Sequence, residues 1–224
     1  MGPAFGSSGT GLPQGARTGS LLYPYLKRGL DLVLCVGFLL IAAAIALLLV
    51  VLNPLFNPGP LFFRQDRMGR DGRSFRMWKF RTMTGEGEVR RGAFDPVEPD
   101  RRTRLGNLLR EHHLDELPQI LNVIRGEMSV VGPRPDMFDH AVCYLREIPG
   151  YRERLSVLPG MTGHAQIELG YADEREAVRA KVACDLHYVR HASLRMDLGI
   201  ILRTLPSILL RRETPARLPA KVRA

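Results

Sequence analysis

Residues 32–52 read LVLCVGFLLIAAAIALLLVVL, 21 positions without a charge or a proline, at the head of a charge-free run from Leu32 to Phe63. Wound as a helix at ~1.5 Å per residue, these positions reach about 31 Å, close to the roughly 30 Å hydrocarbon thickness of a bilayer. The segment belongs in lipid. A secretory signal peptide has a shorter apolar region, ~7–15 residues, and a small-residue cleavage site that Asn53-Pro54-Leu55-Phe56 does not supply. Arg17, Lys27 and Arg28 precede the run, and Arg64, Arg67, Arg70, Arg73, Arg76, Lys79 and Arg81 follow it, so both flanks read as cytoplasmic. A re-entrant helix satisfies both flanks, whereas a straight span leaves at least three basic groups outside. Gly37 is the one internal breaker, and kinks usually need proline or a comparable interruption. Both topologies stand at this point, with the more numerous C-terminal charges fixing the main body as cytosolic.

Outward from this segment, 224 residues suffice for one domain with a core plus a membrane element. Lys and Arg number 32 against 23 acids, a net charge of +9 that calls for an anionic partner: nucleic acid, lipid headgroups or phosphorylated substrates. Cys35, Cys143 and Cys184 are three, with no close pairing, which fits neither a disulfide framework nor a structural zinc site and points to a reducing compartment. Met1 to Ser20 is rich in Gly, Ser, Pro and Thr and cannot bury enough surface to offset its ordering entropy, so it reads as a tail.

Beyond the prolines at 54, 58 and 60, two aromatic-rich runs, Leu61-Phe62-Phe63-Arg64-Gln65 and Phe75-Arg76-Met77-Trp78-Lys79-Phe80, flank Gly69-Arg70-Asp71-Gly72 and predict a β-hairpin. Its basic residues, one every third position from Arg64 to Lys79, line no single face and reach in several directions around membrane and phosphates, or form a solvated basic surface. Thr84 to Asp100, with Gly, Pro and mixed charge, reads as a mobile loop of the length often used as a substrate lid. Leu117, Ile120, Leu121 and Ile124 sit at i, i+3, i+4 and i+7, Pro118 suits a first turn and Gly126 a C-terminus, so a short buried helix begins at Asp115 or Glu116. Asp115 there is either a cap or a chemical group beside backbone N–H groups that attract phosphate. In Gly132-Pro133-Arg134-Pro135 the two prolines hold Arg134 on a stiff support, fit for bidentate phosphate binding or for a structural ion pair. Leu158-Pro159-Gly160-Met161-Thr162-Gly163 is turn-rich and lets backbone approach a ligand, or is an ordinary loop. Val178, Val182, Leu186 and Val189 mark a helix from about Asp173 to Arg190. A second, Ser193 to Arg212, mixes apolar and basic residues as an interfacial or core-packed helix does. His187 and His191 are four apart without the glutamate of the zinc-protease pattern.

Taken together in order and spacing, Lys27-Arg28 with Asp31, Gly59-Pro60-Leu61-Phe62-Phe63-Arg64-Gln65, Lys79-Phe80-Arg81-Thr82-Met83, Leu114-Asp115-Glu116-Leu117-Pro118-Gln119, Gly132-Pro133-Arg134-Pro135, Pro159-Gly160-Met161-Thr162-Gly163, and Asp185-Leu186-His187-Tyr188-Val189 with Ser193 and Asp197 resemble the bacterial sugar transferase family, the monotopic polyprenyl-phosphate phosphoglycosyl transferases. Each motif alone is weak, and the ordered set over Lys27 to Leu210 is specific. The chain resembles the minimal, single-domain form. The expected fold is α+β and mainly helical: a membrane helix, re-entrant or spanning, a small β-hairpin, and interfacial amphipathic helices around a compact catalytic domain. The expected divisions are a disordered tail over 1–24, the anchor over 25–58, the catalytic domain on the cytosolic face over 59–212 and a basic tail over 213–224.

The resemblance implies that an aspartate attacks the β-phosphate of a UDP-sugar, UMP leaves, and polyprenyl (undecaprenyl) phosphate then takes the sugar phosphate from the enzyme, the first membrane step of a bacterial glycoconjugate. By motif, Asp115 is the nucleophile and Glu116 its acidic partner, both near Mg²⁺, with Lys79, Arg81, Arg134, Asp185 and Asp197 at phosphate- or substrate-binding positions. The chemistry agrees, since a carboxylate attacks phosphorus only once the phosphates' charge is neutralised, and magnesium needs only one or two protein carboxylates beside phosphate oxygens. The implied partners are a UDP-sugar, polyprenyl phosphate and membrane lipids at the cytoplasmic face of the inner membrane, with no nucleic acid. The oligomeric state stays open, a homodimer included.

Four places depart from the family pattern. Ala42-Ala43 stands where a Ser-Pro pair usually breaks the membrane helix, Leu158 where an arginine is common, His164 where a tryptophan is common, and Glu168-Leu169-Gly170-Tyr171 where Asn-Gly-Arg-Asn is commoner. A catalytically silent basic scaffold at the membrane surface would also explain charge and anchor, but gives no reason for Asp115 beside Glu116 near a rigid Arg134. A tethered nucleic-acid binder lacks any recognition motif.

Overall fold

A computed structural model of the protein describes residues 22–83, 92–93, 102–169 and 175–210, with side chains as far as 206. The loop expected over Thr84 to Asp100 lies almost wholly outside the described residues, as do both expected tails apart from Leu22, Tyr23 and Pro24. The elements are helix α1 (Tyr23–Phe56), strands β1 (Phe62–Met68) and β2 (Ser74–Phe80), helix α2 (Arg104–Glu111), a 3-10 segment Leu114–Gln119 that runs into α3 (Ile120–Ile124), strand β3 (Ser129–Val131), helices α4 (Phe138–Glu147) and α5 (Tyr151–Arg154), strand β4 (Gly160–Thr162), and helices α6 (His164–Leu169), α7 (Arg175–His191) and α8 (Leu194–Leu210). Helices with two small two-stranded sheets make the fold α+β and mainly helical.

Helix α1 takes in the whole apolar run and continues unbroken through Ala42-Ala43. Pro24 is tolerated in its first turn, where an N–H would lack a partner. Asp31, Cys35, Leu49 and Asn53 are buried, and Ala42, Ile45 and Ala46 partly so, at spacings that mark one helical face. Cys35 and Ala42 pack with Phe75, Met77, Ile120, Val123 and Met128, while Ile45, Ala46 and Leu49 pack with Phe80 and Leu109. Polar contacts fix both ends. Lys27 Nζ lies 3.1 Å from Asp197, and Arg28 donates to the carbonyls of Val123 and Ile124 at 2.6 and 2.9 Å. Asp31 accepts from the Ser129 hydroxyl at 2.7 Å and from Val130 N–H at 3.1 Å. Near the other end, Asn53 donates to the Gly59 carbonyl at 2.8 Å and Asn57 to the Arg81 carbonyl at 2.7 Å. The helix therefore lies along the domain over its length, and leaves Val33, Val36, Leu40, Leu47, Val51 and Leu55 exposed on its other side.

The hairpin forms as the aromatic runs and their turn predict. β1 and β2 pair antiparallel from Phe62↔Phe80 to Met68↔Ser74, and the reversal uses Asp71 and Gly72 at φ 58° and 75°, left-handed values suited to Asp and Gly. The second sheet pairs β3 with β4 in parallel, Ser129↔Gly160 and Val131↔Thr162, and so lays the Gly132-Pro133-Arg134-Pro135 loop against Pro159-Gly160-Met161-Thr162-Gly163. A Cβ on Gly160 would stand 2.1 Å from Gly132 N, and one on Gly163 2.2 Å from Gly132 O. The glycines of that turn-rich segment thus serve a crossing of two backbones, a role its local sequence does not distinguish from approach to a ligand.

Met68, Ala141, Tyr144, Ile148, Tyr151, Val178 and Val182 form the core under α4, α5 and α7. Val131, Tyr188 and Ile200 join β3 to α7 and α8. Helix α8 buries Ile200 but exposes Leu198, Leu202 and Leu205, so it packs on the domain with one apolar face and presents another outward.

Candidate active site

The residue at the centre is Glu116, on the 3-10 segment that His113, at φ 54°, turns inward. Strand β2 brings up Lys79, whose Nζ lies 2.7 Å from Glu116 Oε1. From the opposite side Arg134 donates Nη1 to Oε2 at 3.1 Å and Nη2 to Oε1, a bidentate pair. Asp115, next in the chain, is 5% exposed and within electrostatic reach of Lys79, Arg110 and Arg134. Burial pushes the Asp115 carboxyl above its ordinary range, against Lys79 and with the neighbouring Glu116 charge adding to the rise. Burial works against ionisation of Glu116 too, but Arg134 and Lys79 hold it well below the ordinary value. Burial also lowers the Lys79 ammonium, with Glu116 opposing. Two adjacent carboxyls are thereby driven apart in acidity, one locked as an anion by cations and the other a stronger base, the separation that divides roles between paired acids.

Arg134 is held from behind. Arg154, 2% exposed, donates Nη2 to the Arg134 carbonyl at 2.8 Å and Nη1 to Asp136 at 2.5 Å, and ion-pairs with Asp185 at 2.8 Å. Asp136 also accepts from the Tyr151 hydroxyl at 2.8 Å and from Lys181. Burial raises the Asp136 carboxyl, yet Lys181 and Arg154 outweigh it and hold the group below its ordinary range. Charges this buried persist only when paired on several sides, so the loop carrying Arg134 is rigid.

Lys79, Asp115, Glu116 and Arg134, four residues singled out in the sequence, thus come together. Three others do not join them. Arg81 caps the end of α1, donating to the carbonyls of Pro60 at 2.8 Å, of Asn57, and of Met83 at 3.4 Å. Asp185 meets the site only through Arg154. Asp197, wholly buried, clamps α1 to the domain by accepting from Tyr23 at 3.0 Å, Lys27 at 3.1 Å and Tyr188 at 2.7 Å. Two contributors had no sequence signal. Arg110 faces Asp115 from α2 while its Nε donates to Thr82 Oγ1 at 2.9 Å, and Arg154 supports the Arg134 loop from α5.

Among the described residues no group of three or more His, Cys, Asp or Glu is arranged to hold a metal. His187 and His191 have ring centroids 4.4 Å apart, with His164 5.3 Å from His187 and the rings tilted to one another, and they are not among any such group. The carboxyl pair fits magnesium in its substrate-completed mode, in which one or two carboxylates and phosphate oxygens share the ion. Lys79 and Arg134 use three of the roughly four lone-pair sites on Glu116, which leaves one, and Asp115 beside it supplies a second carboxylate.

The sequence pattern of the family described as "Bacterial sugar transferase" matches residues 22–211. The chain is 38% identical over 190 residues to UDP-N-acetylgalactosamine-undecaprenyl-phosphate N-acetylgalactosaminephosphotransferase of Aeromonas hydrophila, covering 85% of this chain and 45% of that one. It is 42% identical over 185 residues to UDP-glucose:undecaprenyl-phosphate glucose-1-phosphate transferase of Caulobacter vibrioides, covering 82% and 69%. It is 40% identical over 192 residues to exopolysaccharide production protein PSS of Rhizobium leguminosarum bv. phaseoli, covering 83% and 96%. This chain thus spans less than half of the Aeromonas relative and almost all of the Rhizobium one.

Proposed function

The chain belongs to the bacterial sugar transferase family, and from that premise we propose that it moves a sugar 1-phosphate from a UDP-sugar to undecaprenyl phosphate with release of UMP. The observation that carries this reading is a buried Asp115 beside a Glu116 clamped by Lys79 and Arg134. An Asp115 oxygen forms a bond to the β-phosphorus, the bridging P–O bond of the diphosphate breaks, and UMP leaves with the electron pair. An oxygen of undecaprenyl phosphate then attacks the same phosphorus and returns Asp115 as a carboxylate. Lys79 and Arg134 are fixed cations at the site, already desolvated, and reduce the repulsion between the attacking carboxylate and the diphosphate. Arg110 adds positive charge on the Asp115 side. Asp115 and Glu116 would hold Mg²⁺, which supplies neutralisation of phosphate charge when bound. Asp185 and Asp197 act at one remove, by stiffening the Arg134 loop and by seating α1.

In this reading the exposed apolar side of α1 enters the lipid with the domain at the cytoplasmic face, which the basic residues on both sides of the run support. Purified protein with Mg²⁺, undecaprenyl phosphate and a UDP-sugar panel that includes UDP-glucose and UDP-N-acetylgalactosamine releases UMP, and Asp115→Asn does not. UMP release by Asp115→Asn equal to that of the wild type would overturn the role given to Asp115, and no release by either protein across the panel would overturn the enzyme reading and leave the silent scaffold.

A further inference from the structure

The function proposed above leaves the outer face of the hairpin unused. Trp78 is the single tryptophan of the chain. Its cross-strand partner is Arg64, and that register sets the Arg64 guanidinium 4.3 Å from the indole centre. Arg125, which follows α3, brings a second guanidinium to 5.6 Å. Beside the indole opens a groove of about 550 Å³, lined among others by Arg64, Arg76, Trp78 and Arg125, with Asp66 and Glu127 as its acids. Asp66 lies 3.7 Å from Arg76, and Glu127 accepts from Asn122 Nδ2 at 2.6 Å. Among the described residues neither Arg64 nor Arg125 forms an ion pair, so both guanidiniums line the groove without a carboxylate partner of their own.

Residues next to the groove connect it to α1. Phe62 meets Trp78 edge-on at 5.7 Å and stacks on Phe80 at 5.5 Å, and Phe80 packs against Leu49. Phe62 is 38% exposed. Arg28, four residues before the apolar run begins, binds the carbonyls of the two residues that precede Arg125. Basic groups lie here where a charged flank meets an apolar surface, the depth at which tryptophan and arginine settle in a bilayer.

We propose that the Arg64–Trp78–Arg125 groove binds the phosphate of an anionic phospholipid headgroup, with Phe62, on the same face of the hairpin, entering the boundary of the acyl chains beside it. Contact with the indole restrains both guanidiniums, and each can donate to a phosphate oxygen in the groove. The inference rests on the membrane attachment proposed above, and it concerns a surface that takes no part in the transfer chemistry.

The lone tryptophan makes the test direct. The full-length protein is placed in nanodiscs of phosphatidylcholine with or without phosphatidylglycerol, and Trp78 emission is followed with lipids brominated near the headgroup or deep in the chain. Headgroup-level bromine quenches most, emission shifts to the blue only when phosphatidylglycerol is present, and Arg64→Gln with Arg125→Gln removes that dependence, on the order of tenfold in lipid affinity. Protein that enters the discs with Trp78 unquenched at either depth, or quenched equally with and without phosphatidylglycerol, overturns the headgroup site and leaves the membrane attachment intact. Failure to enter the discs overturns the attachment, and the headgroup site with it. In detergent, Trp78 quenching by UDP-glucose without any response to phosphatidylglycerol overturns the proposal in favour of a nucleotide-binding groove.

Discussion

Asp115 and Glu116 are neighbours in sequence and opposites in electrostatics, and each forecasts a different response to pH. As the proposed nucleophile Asp115 must be ionised, and the upward push that burial gives its pKa means that the charged form is lost as pH falls while an ordinary carboxyl would still be charged. The acid limb of kcat/KM therefore lies above the ordinary carboxylate range, and a limb at or below that range in single-turnover UMP release would count against Asp115 as nucleophile. The same sign bears on stability. A carboxyl whose folded value is raised costs stability when ionised, so Asp115→Asn raises the melting temperature at neutral pH while abolishing turnover. Calorimetry that finds the variant less stable would remove that account. Glu116 runs the other way: its lowered folded value contributes stability that is present above the unfolded value and lost as pH falls through the folded one. For Arg134, Lys keeps the charge but loses the two-pronged grip, and Arg134→Lys lowers kcat by on the order of 10²-fold. Wild-type turnover by that variant would show that geometry at this position is unimportant.

Elements place these residues by means that differ in how far a sequence displays them. The hairpin and α1 were legible because their signals are local: aromatic runs about a Gly/Asp turn, and a charge-free run of helical length. Lys79, Asp115, Glu116 and Arg134 were legible through motifs, each on a short stiff segment. Asp185 and Asp197 were visible as acids but not as buried ones, since their cations arrive from distant places, Arg154 from α5 and Lys27 from 170 residues earlier. The close crossing at Gly132, Gly160 and Gly163 was equally hidden, because a turn-rich segment does not announce which backbone it will meet. It makes a sharp forecast. Gly160→Ala puts a methyl 2.1 Å from a backbone nitrogen that cannot move without shifting the Arg134 loop, so the variant loses both melting temperature and activity by circular dichroism and UMP assay. An unchanged variant would mean that the β3–β4 crossing is looser than the fold requires.

At the level of the whole molecule, α1 bears on a choice between re-entrant and spanning topologies that its composition left open. A 34-residue helix spans about 51 Å, and contacts near both of its ends keep it against one domain. Tyr25 and Leu55 are 78% and 74% exposed, and in a background without the native cysteines Tyr25→Cys and Leu55→Cys react with an impermeant thiol reagent from the same, cytoplasmic side of sealed vesicles. Labelling from opposite sides would establish a span. The docking stripe carries one more implication. Cys35, Ala42, Ile45, Ala46 and Leu49 supply one wall of two hydrophobic clusters, and Asp31 closes hydrogen bonds to β3. Trimming the N-terminal helix to obtain a water-soluble enzyme would therefore strip Phe75, Ile120, Phe80 and Leu109 of their cover, and the fragment would aggregate before it could be assayed.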